Sequence, residues 1–454
     1  MQDQTEHAHE RIEEIRRALE RGEDVASLDA RIAELHPADL AEVIDGLEEE
    51  GERVAFFRRI PASLKAETLA EVDEETWPEL LETIDGEPGL RRLFGELEVD
   101  DAADILGELS REEARGILAR IEPEESREIS ALMQYDVDSA GGVMTTEIVS
   151  VPVNLTADEA IVAVRRKGRE VHDFYTVYVV DAENRLVGTL SLQDLILAPG
   201  ETRVGEIMEA DTVRVQPLDD QEDVARLIAK YNLVSIPVVD EFDHLLGRVT
   251  VDDVIDIIEA ETTEDLFRLS GVDEEEERHA SPLEIVRSRA PWLLITLGTS
   301  GLGALVVAQF EETIQRLAFI AVFMPVVAAL AGNSAIQATT VAVRRLALDG
   351  GARPARSLSR EVLAGIVIGG MIALILAGVA AVWQDSLRVG LVVGGSMWAA
   401  MAIGVTWGAA FPLILDRIGL DPAVSSSVFL TTMTDLVSFL LILGSASWFL
   451  LQWL

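Results

Sequence analysis

Asp435 is the residue whose surroundings constrain the chemistry of this chain most. It stands in Thr431-Thr432-Met433-Thr434-Asp435, inside the last apolar run. An ionised carboxylate at that depth costs roughly 2.5–3.5 kcal/mol on insertion scales, so it normally faces a water-filled path. Hydroxyls flank it and the run holds no basic partner, which favours such a path. The alternatives are an Asp held in a helix–helix hydrogen bond or kept protonated. A second polar pair, Asn333 and Gln337, lies in the apolar segment that starts near Pro325. Four residues apart, the two share one helix face, where interhelical hydrogen bonding is the simpler use of them. Carboxylate and amide oxygens suit hard divalent ions such as Mg²⁺, Ca²⁺ or Mn²⁺. Mg²⁺ sheds water reluctantly, so a path with few carboxylates would hold it by its water shell.

Other carboxylates gather far from that run. Asp100 and Asp104 are four apart and share a helix face, ordinarily a solvated one. Asp252, Asp253, Asp256, Glu259, Glu261, Glu264 and Asp265 form a dense acidic stretch, with Asp220 and Glu222 upstream. Like charges at this density repel, and divalent cations relieve the repulsion. That suits a metal-responsive switch, but salt adaptation could produce the same excess.

The elements that must position these groups fall into two halves. The chain has 454 residues, 37 Lys+Arg against 80 Asp+Glu, a net charge of −43 and no cysteine. Disulfides and thiolate metal sites are excluded, and the charge disfavours nucleic acid as a partner. From Ser281 onward there are 10 Arg, no Lys and 9 Asp+Glu, so nearly all the acidity lies earlier. About 20 apolar residues cross a bilayer, and five segments approach that length: Trp292–Ala308, Leu317–Ala342, Val362–Trp383, Val389–Leu415 and Val424–Trp453. Arg287 and Arg289 precede the first, and Arg344, Arg345, Arg353, Arg356 and Arg360 separate the second from the third. The positive-inside rule places both groups in the cytoplasm and the C-terminus outside.

The acidic half divides again. Residues 10–134 show short amphipathic units such as Pro37–Ile44 and Asp100–Leu106, which read as a helical superhelix. Between 138 and 262 an internal repeat appears. Val177-Tyr178-Val179-Val180-Asp181 recurs as Ile236-Pro237-Val238-Val239-Asp240, and Gly188–Asp194 recurs as Gly247–Asp253, both 59 positions later. Each copy reads as strand, helix, paired strands and helix. The pattern resembles tandem cystathionine-β-synthase (CBS) domains, whose Ser/Thr-x-x-Asp element can hold adenosine nucleotides. Asp194 and Asp253 stand at that position.

The order of parts resembles the MgtE family of magnesium channels. Ser139–Thr145, Pro325–Gln337, and Asp421-Pro422-Ala423 with Thr431–Asp435 carry the likeness. It implies a multidomain membrane protein: an all-α superhelical domain (1–135), α/β CBS domains (136–200 and 201–265), a connecting helix (266–290) and a five-helix transmembrane domain (291–454). It also implies a homodimer in the bacterial inner membrane that conducts Mg²⁺ and is not an enzyme, with ATP as a possible CBS ligand. By motif, Asp435 corresponds to the pore carboxylate and Asn333 to an amide beside it. Asp100, Asp104, Asp220, Glu222, Asp253, Asp256, Glu261, Glu264 and Asp265 match acidic positions that hold regulatory Mg²⁺. The sequence departs from the family pattern at Ala331, Ala335, Ser427, Val428 and Asn232, and at Ser438, where a Gly is expected three residues after the pore Asp. Two rival functions keep the same architecture: an ion-coupled secondary transporter in which Asp435 cycles its proton, and a membrane-tethered CBS sensor that transports nothing.

Overall fold

The computed structural model describes residues 25–449, apart from 48, 85, 170, 172–173, 271, 273–281, 350–353, 419 and 421–425, together with Ile12 and Ile15. Its contacts divide it into two units, Met1–Ile257 and Ile258–Leu454.

From Val25 on, the described residues of the first unit form nine short helices: α1 (Val25–Ile32), α2 (Pro37–Asp45), α3 (Glu50–Arg59), α4 (Lys65–Glu71), α5 (Trp77–Leu81), α6 (Gly86–Phe94), α7 (Val99–Gly107), α8 (Arg111–Leu118) and α9 (Pro123–Leu132). Local chemistry starts and stops them. Pro occupies the first turn of α2, α5 and α9, where its missing N–H costs nothing. Ser110 and Glu113 cap α8 reciprocally. Each helix is too short to stand alone; each turns a few apolar side chains inward, Leu40 and Ile44, Phe56 and Phe57, or Ile105 and Leu106. These join a single core that continues into the second repeat at Val224, Ile236, Val238 and Val249.

The repeats follow. In the first, β1 (Ser150–Pro152) runs parallel to β2 (Thr176–Val180), which pairs antiparallel with β3 (Leu186–Ser191). Helix α10 (Ala157–Lys167) links β1 to β2, α11 (Leu192–Leu197) follows β3, and α12 (Val204–Ile207) ends the copy. In the second, α13 (Gln221–Tyr231) precedes the antiparallel pair β4 (Ser235–Val239) and β5 (Leu245–Thr250), and α14 (Val251–Ser270) leaves it. The 59-residue offset holds, Thr176 against Ser235 and Leu186 against Leu245. The first strand expected in the second copy shrinks to one parallel bridge, Val215 to Val238. The Asp219 carboxylate takes the Gln216 N–H at 2.7 Å, and Pro217 has none to give. The copies join at their hairpins: Leu186 N donates to Asp243 O, Leu245 N to Asn184 O. Asn184 and Asp243 both take positive φ at the matching turn position, which Asn and Asp tolerate best. Across the copies the Tyr178 and Ser235 hydroxyls lie 2.7 Å apart.

The second unit holds the five long apolar helices: α15 (Pro282–Gln309), α17 (Ile320–Asp349), α18 (Pro354–Trp383), α19 (Leu387–Arg417) and α20 (Ser426–Phe449), with a short α16 (Glu311–Arg316) between the first two. Helix α15 runs continuously from Pro282 through Pro291 into the first long apolar stretch. Of the last span, expected over Val424–Trp453, the described helix covers Ser426–Phe449, and 424–425 and 450–453 lie outside the described residues.

Helix α19 is the most enclosed and packs against α17, α18 and α20. Small residues let the backbones approach, since apolar burial drives little association in lipid. A Cβ on Gly390 would fall 2.5 Å from Ala377 O, and one on Gly408 would fall 2.3 Å from Ala335 O. Thr339 Oγ1 donates to Gly408 O at 2.9 Å and locks the same contact. Replacing Gly408 with Val should therefore cost about 1–3 kcal/mol through overpacking, read as a lowered thermal midpoint in detergent; an unchanged midpoint would contradict this packing.

Candidate functional site

Two sites emerge, one in each unit. In the second, α17, α19 and α20 converge at Ala331-Gly332, Gly404 and Thr434. A Cβ on Gly404 would lie 2.9 Å from Ala331 O and 3.6 Å from Thr434 Cγ2; one on Gly332 would lie 3.6 Å from Thr434 Oγ1. Here the glycine that allows close approach sits on α19, which explains how Ala331 and Ala335 are accommodated on α17. Thr434 is buried and turns its hydroxyl onto its own helix, to Leu430 O at 2.9 Å and Thr431 O at 3.0 Å. The residues next to this junction are Asn333 and Asp435. Asp435 is half-buried and Asn333 is exposed, as is Gln337 one turn on. Among the described residues the Asp435 carboxylate makes no hydrogen bond and no ion pair. The interhelical hydrogen bond weighed for Asp435 is therefore absent among the described residues.

The second site lies in the first unit, where α7 faces the start of α14. Burial first, and then the carboxylate of Glu147, push Glu98 up to about 7, while Arg248 pulls it down. Burial, then Asp101, Asp253 and Glu98, hold Asp100 well above the carboxylate range. Its Oδ1 is buried with no hydrogen-bond partner. Burial and then Glu98 and Asp253 raise Asp101 to about 7. Asp104 is raised to about 7, first by its protein surroundings and then by Glu74 and Asp253, although its side chain still reaches solvent. Asp253, raised to about 6 by burial, keeps partial relief from the Thr250 hydroxyl, which donates to it. Carboxylates from two domains thus share one poorly solvated region, the arrangement that a divalent cation relieves. Among the described residues no three of them converge into a finished cage.

The remaining candidates sit differently. Asp220 caps α13, accepting Glu222 N at 2.8 Å, and Glu222 pairs with Arg226 at 3.1 Å. Asp256 adds its charge to Asp253 from one turn along α14. Glu261 and Glu264 stand farther along that helix, Glu264 paired with Arg268, and the side chain of Asp265 lies outside the described residues. Asn232 ends α13 with φ 52° in the left-handed region. That geometry favours Asn over a longer acid, so this departure has a local structural cause. Asp194 is exposed at the first turn of α11, where it accepts the Ser191 hydroxyl at 2.6 Å; its counterpart Asp253 belongs to the acidic cluster.

Sequence reasoning missed Glu98, Asp101, Glu147 and Arg248. Arg248 was the visible signal. Where the first copy has Thr189, the second places an arginine that is 3% exposed, and a buried cation implies carboxylates around it.

The pH dependence follows from the raised values. Each such acid favours the packed state below its ordinary value and opposes it as pH climbs through about 6–7. Without divalent ions, the protection of α7 amides against hydrogen exchange, taken relative to the base-catalysed intrinsic rate at each pH, should fall from about pH 5 to about pH 8. Millimolar Mg²⁺ should restore that protection at the upper end and change little at the lower. Protection indifferent to both pH and Mg²⁺ would contradict the cluster.

Comparison with known proteins agrees part by part. Residues 324–445 match a family model described as a divalent cation transporter, 35–138 the MgtE intracellular N domain, and 140–201 and 204–260 the CBS domain. The magnesium transporter MgtE of Thermus thermophilus is 34% identical over 95% of this chain and 97% of its own length. That of Enterococcus faecalis is 39% identical over 70% of this chain and 71% of its own. Among solved structures, the cytosolic domain of the Mg²⁺ channel MgtE in complex with ATP covers 54% of this chain and 98% of its own, with 39% identity and a TM-score of 0.50.

Proposed function

The chain belongs to the MgtE family of magnesium transporters, and from that premise we propose that it is a Mg²⁺ channel closed by Mg²⁺ on the cytosolic side. It works as a homodimer in the bacterial inner membrane, with its N-terminal and CBS domains in the cytoplasm and its C-terminus outside. The observation that carries this reading is the unpartnered Asp435 carboxylate beside the junction of three helices, one of which presents Asn333. Asp435 of each subunit accepts hydrogen bonds from waters of the permeating ion, and the Asn333 amide oxygen adds a further acceptor. Outer-sphere recognition leaves the first hydration shell of Mg²⁺ intact, which avoids its costly dehydration.

Closure rests on the acidic region between α7 and the second repeat. Mg²⁺ held by Asp100, Asp104 and Asp253 neutralises carboxylates that otherwise repel, and so binds the compact arrangement better than the loose one. A ligand with that preference shifts the population toward compaction. Asp220, Glu222, Asp256, Glu261, Glu264 and Asp265 extend the acidic surface for further ions. Adenosine nucleotides, ATP among them, bind the first repeat at Asp194, whose exposed carboxylate suits a ribose hydroxyl, rather than the second, where Asp253 is enclosed by acids.

Replacing Asp435 with Ala should reduce Mg²⁺ flux into liposomes by about 10- to 100-fold, the loss expected when hydrogen bonds to a charged group are removed, with folding and dimerisation unchanged. Flux that survives the substitution would defeat the pore assignment.

A further inference from the structure

Ser438 lies three residues after Asp435 on α20, fully buried, and its Oγ makes no hydrogen bond. Buried polar atoms in that condition are rare. The membrane helices offer hydroxyls an easy remedy. Thr296 donates to Trp292 O, Thr340 to Ile336 O, Ser396 to Val392 O, Thr406 to Ala402 O and Thr434 to Leu430 O, each four residues back along its own helix. Ser438 does not take it.

Its direction gives a reason. Helical side chains lean toward the N-terminus, so a residue at i+3 overlies the turn that holds residue i. Ser438 therefore sits over the turn bearing Thr434 and Asp435. Thr434 has already committed its hydroxyl to its own backbone. Asp435 is the remaining group there, and its carboxylate takes no donor among the described residues. A donor without an acceptor and an acceptor without a donor thus share one helix face. Ser438 belongs to the buried side of α20 and Asp435 to the border of that side, so the hydroxyl stands behind the carboxylate, away from the face that meets an ion.

We propose that Ser438 is a positioning residue for the pore carboxylate: by rotation about χ1 it donates its hydroxyl to one oxygen of Asp435 and leaves the other aimed at the hydrated ion. This rests on the reading of Asp435 as the pore ligand. Fixing the carboxylate from behind reduces the rotamer freedom lost when the ion arrives. It also stabilises the ionised form without placing a competing charge in the path.

The test uses the intact chain reconstituted in liposomes, with Mg²⁺ flux measured against Mg²⁺ concentration. Ser438→Ala should raise the half-saturating Mg²⁺ concentration by roughly tenfold, the effect of losing a hydrogen bond to a charged group. Ser438→Cys, a weaker donor of similar size, should fall between Ala and Ser. The thermal midpoint separates this from packing: Ser438→Ala removes one oxygen and no apolar contact, so its midpoint falls by no more than a lost hydrogen bond costs, whereas a packing defect lowers the midpoint and leaves half-saturation unchanged. Half-saturation is a property of the folded fraction, so a lower yield of either variant does not obscure it. Unchanged half-saturation in Ser438→Ala overturns the inference. Asp435→Asn, assayed beside it, distinguishes the two failures: lost flux there with an unaltered Ser438→Ala refutes only the role of Ser438, whereas full flux in Asp435→Asn removes the pore ligand and this inference together.

Discussion

A carboxylate within an apolar span is stable only if something answers its charge. Among the described residues none supplies a cation for Asp435; under the proposed function the answer is water and the ion that water surrounds. Helices α17, α19 and α20 approach through Gly332, Gly404 and Gly408 rather than through interlocking large side chains. Arginine would satisfy Asp435 more cheaply, and would end its usefulness to a mobile cation.

The first unit applies the same electrostatics. There the carboxylates are numerous and held together by an apolar core that runs from the helical domain into the second repeat. The core draws α7 and the start of α14 together while Glu98, Asp100, Asp101 and Asp253 resist. Arg248 offsets part of that resistance. Under the proposed function the rest is left to a soluble cation, and pore and sensor read one ion by one kind of contact, a carboxylate facing a hydrated divalent charge, at sites of different carboxylate density.

Much of this was legible in the sequence. The 59-residue repeat predicted two copies of one fold because paired strands need the same alternation twice, and the five apolar runs predicted five long helices because length and composition alone decide that. Asp435 and Asn333 were recognisable by residue type inside apolar surroundings. The cluster around α7 was only half visible. Asp100 and Asp104 share a helix face, but nothing along the chain shows that the face meets residues 150 positions away, so Glu98 and Glu147 read as ordinary surface acids. Asn232 misled for a different reason: its identity reports a left-handed helix end. The missing first strand of the second copy was equally hidden, since it depends on the Asp219 side chain taking a backbone donor.

The most direct measurement is Mg²⁺ flux through the purified chain in liposomes, driven by a Mg²⁺ gradient alone, as Mg²⁺ on the side of the cytosolic domains is raised. Flux that needs no pH gradient and falls off as that concentration climbs is what the account requires. Flux that appears only with an imposed pH gradient, and is indifferent to Mg²⁺ on that side, would contradict it.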